Sequence, residues 1–209
     1  MELQHINVKL PVQDPEEVDL EPLIPIFHRW IQDQVCEELL LDVADYRHVY
    51  AGPGLVLIGH EANYSLDNTD GRLGIRYNRK AAVEGSNLDR LIQATQAALN
   101  ACRRLEEDPR LGGMIRFNGR ELEVSINDRL LAPNSTETRQ AVDVEFQSYF
   151  QGLLEKSDYT LWYAPDPRSL FSVGVKTSRR FSAAELLNNL NSFASAPQQA
   201  LALACASSV

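Results

Sequence analysis

One grammar recurs three times in this chain: an alternating apolar and polar stretch, a turn, a second such stretch, then a segment with helical spacing. The paired stretches fall at 55–66 with 72–80, 111–117 with 120–127, and 159–164 with 170–176. A period of two sends successive side chains to opposite faces of a strand, so each pair reads as a hairpin with one apolar face. Behind the pairs run apolar positions three and four apart. They are Leu88, Leu91, Ile92, Thr95, Ala98, Leu99, Cys102 and Leu105; then Val142, Phe146, Tyr149, Phe150 and Leu153; then Ala184, Leu187, Leu190 and Phe193. Such stripes must bury against a sheet. A capping side chain stands three residues before an acid at Ser86 and Asp89, Asn134 and Glu137, and Ser182 and Glu185, the spacing of a capping box. No residue-by-residue identity links the units, so the repetition is architectural.

Asn118-Gly119 is the clearest turn signal, because it favours a two-residue type I′ loop. It predicts that Phe117 pairs with Arg120, Arg116 with Glu121 and Ile115 with Leu122, with Leu111, Val124 and Ile126 on the same inner face as Ile115 and Phe117. The turn at 68–71 predicts that Ala62, Tyr64 and Leu66 share a face with Leu73, Ile75 and Tyr77, and His60 joins them. The opposite face then aligns Glu61, Asn63, Ser65 and Asp67 with Arg72, Arg76, Asn78 and Lys80. Upstream, Ile6, Val8 and Leu10 predict a strand over 5–12 that Pro11 ends or confines to an edge. A helix is predicted from Pro22 to Val35 and a short strand in "ELLLDVADY". These faces predict a two-layer α+β fold, a mainly antiparallel sheet built from β-hairpin plus helix units with the helices packed on one face. The order of elements in the middle of the chain resembles the layout of the acidic, dimeric type III secretion chaperones; the likeness is one of layout and carries no function.

At 209 residues the chain can bury about 70% of its unfolded surface, and 1–196 is expected to form a single domain with 197–209 as a flexible tail. A hydrophobic fraction of 44% suits a globular protein, and no apolar run is long enough to span a bilayer. The net charge of −9 repels polyanions, which argues against nucleic acid and anionic membranes as partners. Acids dominate the N-terminal part, whereas Arg168, Lys176, Arg179 and Arg180 outnumber Asp166 and Glu185 beyond residue 161. Such asymmetry suits self-association. Cys36, Cys102 and Cys205 are too few and too widely spaced for a disulfide framework or a zinc site. With no basic and then apolar leader pattern at the start, a cytoplasmic location is expected.

The "DNTDG" stretch is not a calcium loop: with Gly71 sixth, Leu66 and Tyr77 fall at the first and twelfth positions, where carboxylates are needed. Gly52-Pro53-Gly54 lacks phosphate-loop spacing, and no familiar nucleophile or metal motif occurs, so no cofactor and no metal are expected. His48 and His60 lie near Asp45 and Glu61, and imidazole titrates near neutral pH. On a single strand, however, His60 and Glu61 point to opposite faces. Arg72, Arg76 and Lys80, spaced by four, can receive a carboxylate or phosphate, unless Glu61 and Asp67 already pair with them on a solvated ladder. Trp162 alternates with Leu161 and Tyr163, which puts an aromatic ring on the open face.

The expected function is a non-enzymatic binding or self-associating module, joined to a protein partner or to itself as a homo-oligomer. Its contact residues are Glu61, Asn63, Arg72, Arg76, Asn78, Lys80 and Trp162 on the open sheet face. The alternative is an enzyme acting on a small anionic substrate, with His48 or His60 as general base beside Asp45 and an arginine holding the anion.

Overall fold

The computed structural model describes the backbone of residues 1–155 and 157–206, and the side chains of 1–155 and 157–195. Its strands are β1 (Ile6–Pro11), β2 (Leu40–Tyr46), β3 (Gly54–Gly59), β4 (Ala62–Asp67), β5 (Gly74–Arg79), β6 (Glu121–Ile126), β7 (Tyr159–Tyr163) and β8 (Phe171–Thr177). They form one antiparallel sheet in the order β2-β3-β4-β5-β1-β6-β8-β7. The helices are α1 (Leu23–Asp33), α2 (Asn87–Glu107), α3 (Thr136–Leu154) and α4 (Ala183–Ala206). This is the expected α+β architecture, with an open sheet.

The register explains which face the helices take. Leu55, Leu66, Ile75 and Leu10 align across β3, β4, β5 and β1, and the row two residues on carries Leu57, Tyr64, Tyr77, Val8, Val124 and Val173. All are buried. Against these rows α1 turns Leu23, Ile26, Phe27 and Trp30 toward β2 and β3, and α2 lies across β1 and β5. Phe146 of α3 meets Phe171 of β8 edge-on, with centroids 6.3 Å apart, and α4 packs on α2 and α3. The cap of α2 forms as its spacing predicts: the Ser86 hydroxyl accepts from the Asp89 amide while Asp89 accepts from the Ser86 amide. Ser182 and Glu185 make the same reciprocal pair before α4.

Three local expectations are corrected. The stretch 55–66 is two strands, because Gly59 approaches the Ala62 carbonyl closely enough to leave no room for a side chain and the chain reverses over His60-Glu61. The 111–117 strand and its hairpin do not form. Residues 109–111 make a 3-10 turn, Phe117 bridges to Val12, and β6 pairs with β1 and β8 instead. The Asn118-Gly119 signal is local, and the backbone of β1 outcompetes the hairpin for both partners. Of the two outcomes expected of Pro11 the first holds: it ends β1, which is a central strand. Asn134 is not the cap of α3; Ser135 accepts from the Thr138 amide, and the Asn134 amide donates to the 164 and 166 carbonyls. The hairpin faces of β4 and β5 match expectation, with Asn63 opposite Asn78, Ser65 opposite Arg76 and Leu66 opposite Ile75. The expected tail, 197–209, falls on residues whose side chains, and in part whose backbone, lie outside those described.

Gly119 accepts the Phe181 amide at 3.0 Å, and a Cβ there would overlap the Phe181 carbonyl oxygen. Gly119→Ala is therefore expected to lower stability by about 1–3 kcal/mol through overpacking, read from the urea unfolding midpoint. A variant as stable as the parent would show that the 119 and 181 backbones are not in contact.

Candidate functional site

On the face opposite the helices, one row of side chains crosses all eight strands: Ala44, Val56, Ser65, Arg76, Lys9, Glu123, Gly174 and Trp162. The neighbouring row holds Asp42, Ile58, Asn63, Asn78, Asn7, Ser125 and Ser172. The middle of this face is buried although no helix packs on it: Asn7, Lys9, Ser65, Asp67, Ser125 and Ser172 are all withdrawn from solvent.

Around Lys9 the partners come from the β4–β5 connection and its flanking strands. Asp67 at the end of β4 accepts from Lys9 Nζ at 2.5 Å, from Arg76 at 3.2 Å and from the Thr69 hydroxyl at 2.8 Å, and Lys9 also donates to the Thr69 carbonyl at 3.3 Å. Arg72, from the same connection, reaches across β1 to Glu123 at 3.1 Å and Glu121 at 3.4 Å. Its guanidinium lies 5.7 Å from the centroid of the Trp162 ring on β7, in cation–π range. Trp162 can lie flat there because Gly174 is opposite; a Cβ at 174 would overlap the indole. Lys176 completes the chain of charges at 3.0 Å from Glu121. Burial pushes the Lys9 ammonium below its ordinary value, and Asp67 opposes that shift.

The residues expected to make contacts are thus mostly engaged inside the molecule. Arg72 and Arg76 are ion-paired, Asn78 donates to Asn7, Asn63 accepts the Gly59 amide at 3.4 Å, and the Lys80 ammonium donates to the Gly59 carbonyl at 2.5 Å. Trp162 is on the open face as expected. His60 does not join the inner face; it projects from the β3–β4 turn with its side chain 71% exposed, and its Nδ1 lies 3.2 Å from Glu61 Oε1. The opposite-face argument fails because a turn, not a strand, holds the two residues. His48 sits in the exposed loop after β2, and Asp45 forms a forked pair with Arg47 at 2.7 to 3.0 Å. Among the described residues no three His, Cys, Asp or Glu side chains gather as metal ligands.

Two features escaped the sequence reading. At the β2–β3 end of the open face Ala44, Val56 and Ile58 are half-buried and Tyr46 is 44% exposed. Beside them Leu39, Leu41, Val49 and Tyr50 are exposed. Leu41 is the extra residue of a bulge, so strand alternation misplaces it. The second feature lies on the helix side, where Glu38 is buried and accepts from the Tyr64 hydroxyl at 2.8 Å and the Tyr77 hydroxyl at 2.7 Å. Arg79 stands 3.7 Å from the same carboxylate, and Gln93 donates to the Tyr77 hydroxyl at 3.0 Å. Tyr64 and Tyr77 read correctly as inward positions, but nothing in the sequence spacing points them at an acid 26 and 39 residues away. No protein-family model, no curated protein and no solved structure matches this chain.

Asp67→Asn is expected to cost about 3–5 kcal/mol in urea unfolding, because it strands the Lys9 and Arg76 charges in a buried setting. Replacing both Lys9 and Asp67 by apolar residues of similar size recovers much of the loss; equal damage from the single and the double change would contradict the pairing.

Alkaline pH tests the helix side. Burial pushes the hydroxyls of Tyr64, Tyr77 and Tyr149 and the Cys102 thiol up, and raises the Cys36 thiol to about 11. The unfolded chain then releases these protons first, so stability is intact below the ordinary values of about 8.5 to 10 and falls as pH rises beyond them. Lys9, shifted down, works in the opposite direction but is one group against five. Ultraviolet titration is expected to show three tyrosines ionising only as circular dichroism is lost; free titration near pH 10 would refute their burial.

Proposed function

We propose that this chain is a protein-binding module that takes an extended, positively charged segment of a partner along β2, at the apolar end of the open sheet face. The observation that carries this reading is the outer edge of β2. That strand ends the sheet and, among the described residues, pairs with β3 alone; on its other side the Gln34 side chain holds the Leu40 amide and carbonyl and Asp42 holds the Val43 amide, which leaves the remaining edge groups to an added strand. Leu39, Leu41, Tyr46, Val49 and Tyr50 line it, exposed by 42 to 98%.

Charge selects the partner. Asp42 and Asp45 lie on β2 and Glu37 just before it, while Arg47 is tied to Asp45 and lies near Glu21 and Asp19. An apolar edge rimmed by carboxylates favours cations on the incoming chain. The same acids and a net charge of −9 oppose a second copy at this edge. Attraction from the C-terminal bases is weak, since Arg168 pairs with Asp166, Arg179 with Glu185 and Lys176 with Glu121. The bulge at Leu41 and the two aspartates also discourage indiscriminate strand pairing. The enzyme reading draws less support, because a general base is held against substrate in a concave site and His48 and His60 project from exposed turns.

Adding a synthetic strand-forming peptide that alternates valine and lysine to isotope-labelled protein is expected to shift the amide resonances of β2 and β3. Replacing Leu41 and Tyr46 together by lysine abolishes that shift without changing the unfolding midpoint. A shift that survives the double change, or that a valine–glutamate peptide reproduces, rejects the reading. Sedimentation as a dimer that the same substitutions break would put a second copy in the partner's place.

A further inference from the structure

We infer that the cavity enclosed by α2, α4 and the α1–β2 connection is a binding site for a small carboxylic acid carrying an amino or hydroxyl group, an amino acid being the type. The site lies on the helix side of the sheet and shares with the β2 edge only Glu37, in the segment that leads into β2. Its volume is about 460 Å³, within the range of small-molecule pockets.

The wall toward the sheet lacks a hydrogen-bond donor. Gln93 spends its amide nitrogen on the Tyr77 hydroxyl, which leaves its Oε1 out of solvent with no partner among the described residues. An unpaired buried acceptor costs about 1–3 kcal/mol, and a ligand N–H or O–H recovers that cost once the Gln93 amide turns its oxygen to the cavity. Beside it, Glu38 lines the cavity with a carboxylate that takes one bond per oxygen from Tyr64 and Tyr77. A carboxylate has lone pairs for about four, so Glu38 retains acceptor capacity. Arg79 at 3.7 Å offsets its charge, which lets a neutral hydroxyl serve as well as an ammonium.

The cavity also offers cations for a carboxylate. Arg103 and Arg104, in the last turns of α2, line it with exposed side chains, and a guanidinium matches a carboxylate in a two-point fork. Both signs of charge meet at Cys36, which also lines the cavity: Glu38 and Glu37 push its thiol up, and Arg104 pulls it down. That field suits a molecule with a donor at one end and an anion at the other. Burial is the largest influence on the thiol, raising it to about 11, so Cys36 is a wall rather than a nucleophile at neutral pH.

The test is thermal unfolding of the whole protein with each of the common amino acids and with lactate, malate and glycerate. Acetate serves as a control without a donor and ethanolamine as one without a carboxylate. At least one amino or hydroxy acid is expected to raise the midpoint, and both controls leave it unchanged. Arg104→Glu, on an exposed side chain, and Gln93→Leu each weaken the effect about tenfold, the value of one hydrogen bond to a charged or buried group. In parallel, the stabilising acid shifts the side-chain amide resonances of Gln93 and Gln96, which line the cavity, in isotope-labelled protein. The inference is overturned if no acid shifts the midpoint, if the shift survives both substitutions, or if saturating acid leaves those amide resonances unchanged. Because neither substitution touches β2, failure here leaves the valine–lysine peptide result to stand or fall alone.

Discussion

β1 hydrogen-bonds to β5 along one side and to β6 along the other. Without it the sheet is two pieces, β2-β3-β4-β5 and β6-β8-β7, whose strands do not pair with each other. The six residues Ile6–Pro11 are buried throughout, so the strand supplies core on one face through Val8 and Leu10 and polar anchors on the other through Asn7 and Lys9. Its pairing with β6 joins residues more than a hundred positions apart, a contact that entropy makes late and cooperative.

Lys9 is the polar consequence of that insertion. An ammonium carried into the middle of a sheet must be paired or neutralised, because leaving water costs a lone charge several kcal/mol. Asp67 and the Thr69 carbonyl meet it, Arg76 shares the aspartate, and Arg72 extends the chain of charges to β6 and the ring on β7. The uncovered face is therefore a set of cross-braces between the two halves of the sheet. Such braces pair one another's charges, with Arg76 Nε left buried and without a partner among the described residues, and the exposed apolar surface lies instead at the β2 end.

What could be read without the structure follows periodicity. Alternation placed Tyr64, Leu66, Ile75, Tyr77, Leu122 and Val124 on the core face, and they are there even where their pairing partners differ. Helical stripes and the Ser86 and Ser182 caps are equally plain, since they depend on residues three or four apart, except that α4 turns Ala183 inward and leaves Ala184 exposed. The failures concern choices between partners. Asn118-Gly119 asks for a hairpin, but β1 and β8 offer β6 better-placed strands. Gly59 ends β3 without a strong turn pair to announce it, and His60 and Glu61 were read as strand residues for that reason.

The sequence by itself determined the fold class, the inward face of most strands and helices, and the acidic character of the molecule, because each rests on spacing or composition within a dozen residues. Only the tertiary structure decided that β1 is central and that Glu38 collects two tyrosines. It also decided that the Arg72 and Arg76 ladder is braced rather than free, and that a cavity opens beside the α2–α4 contact at the α1–β2 connection. Those outcomes depend on which distant segments come together. Burial makes hydrogen-bond and charge partners obligatory, and no local pattern records who the partner is.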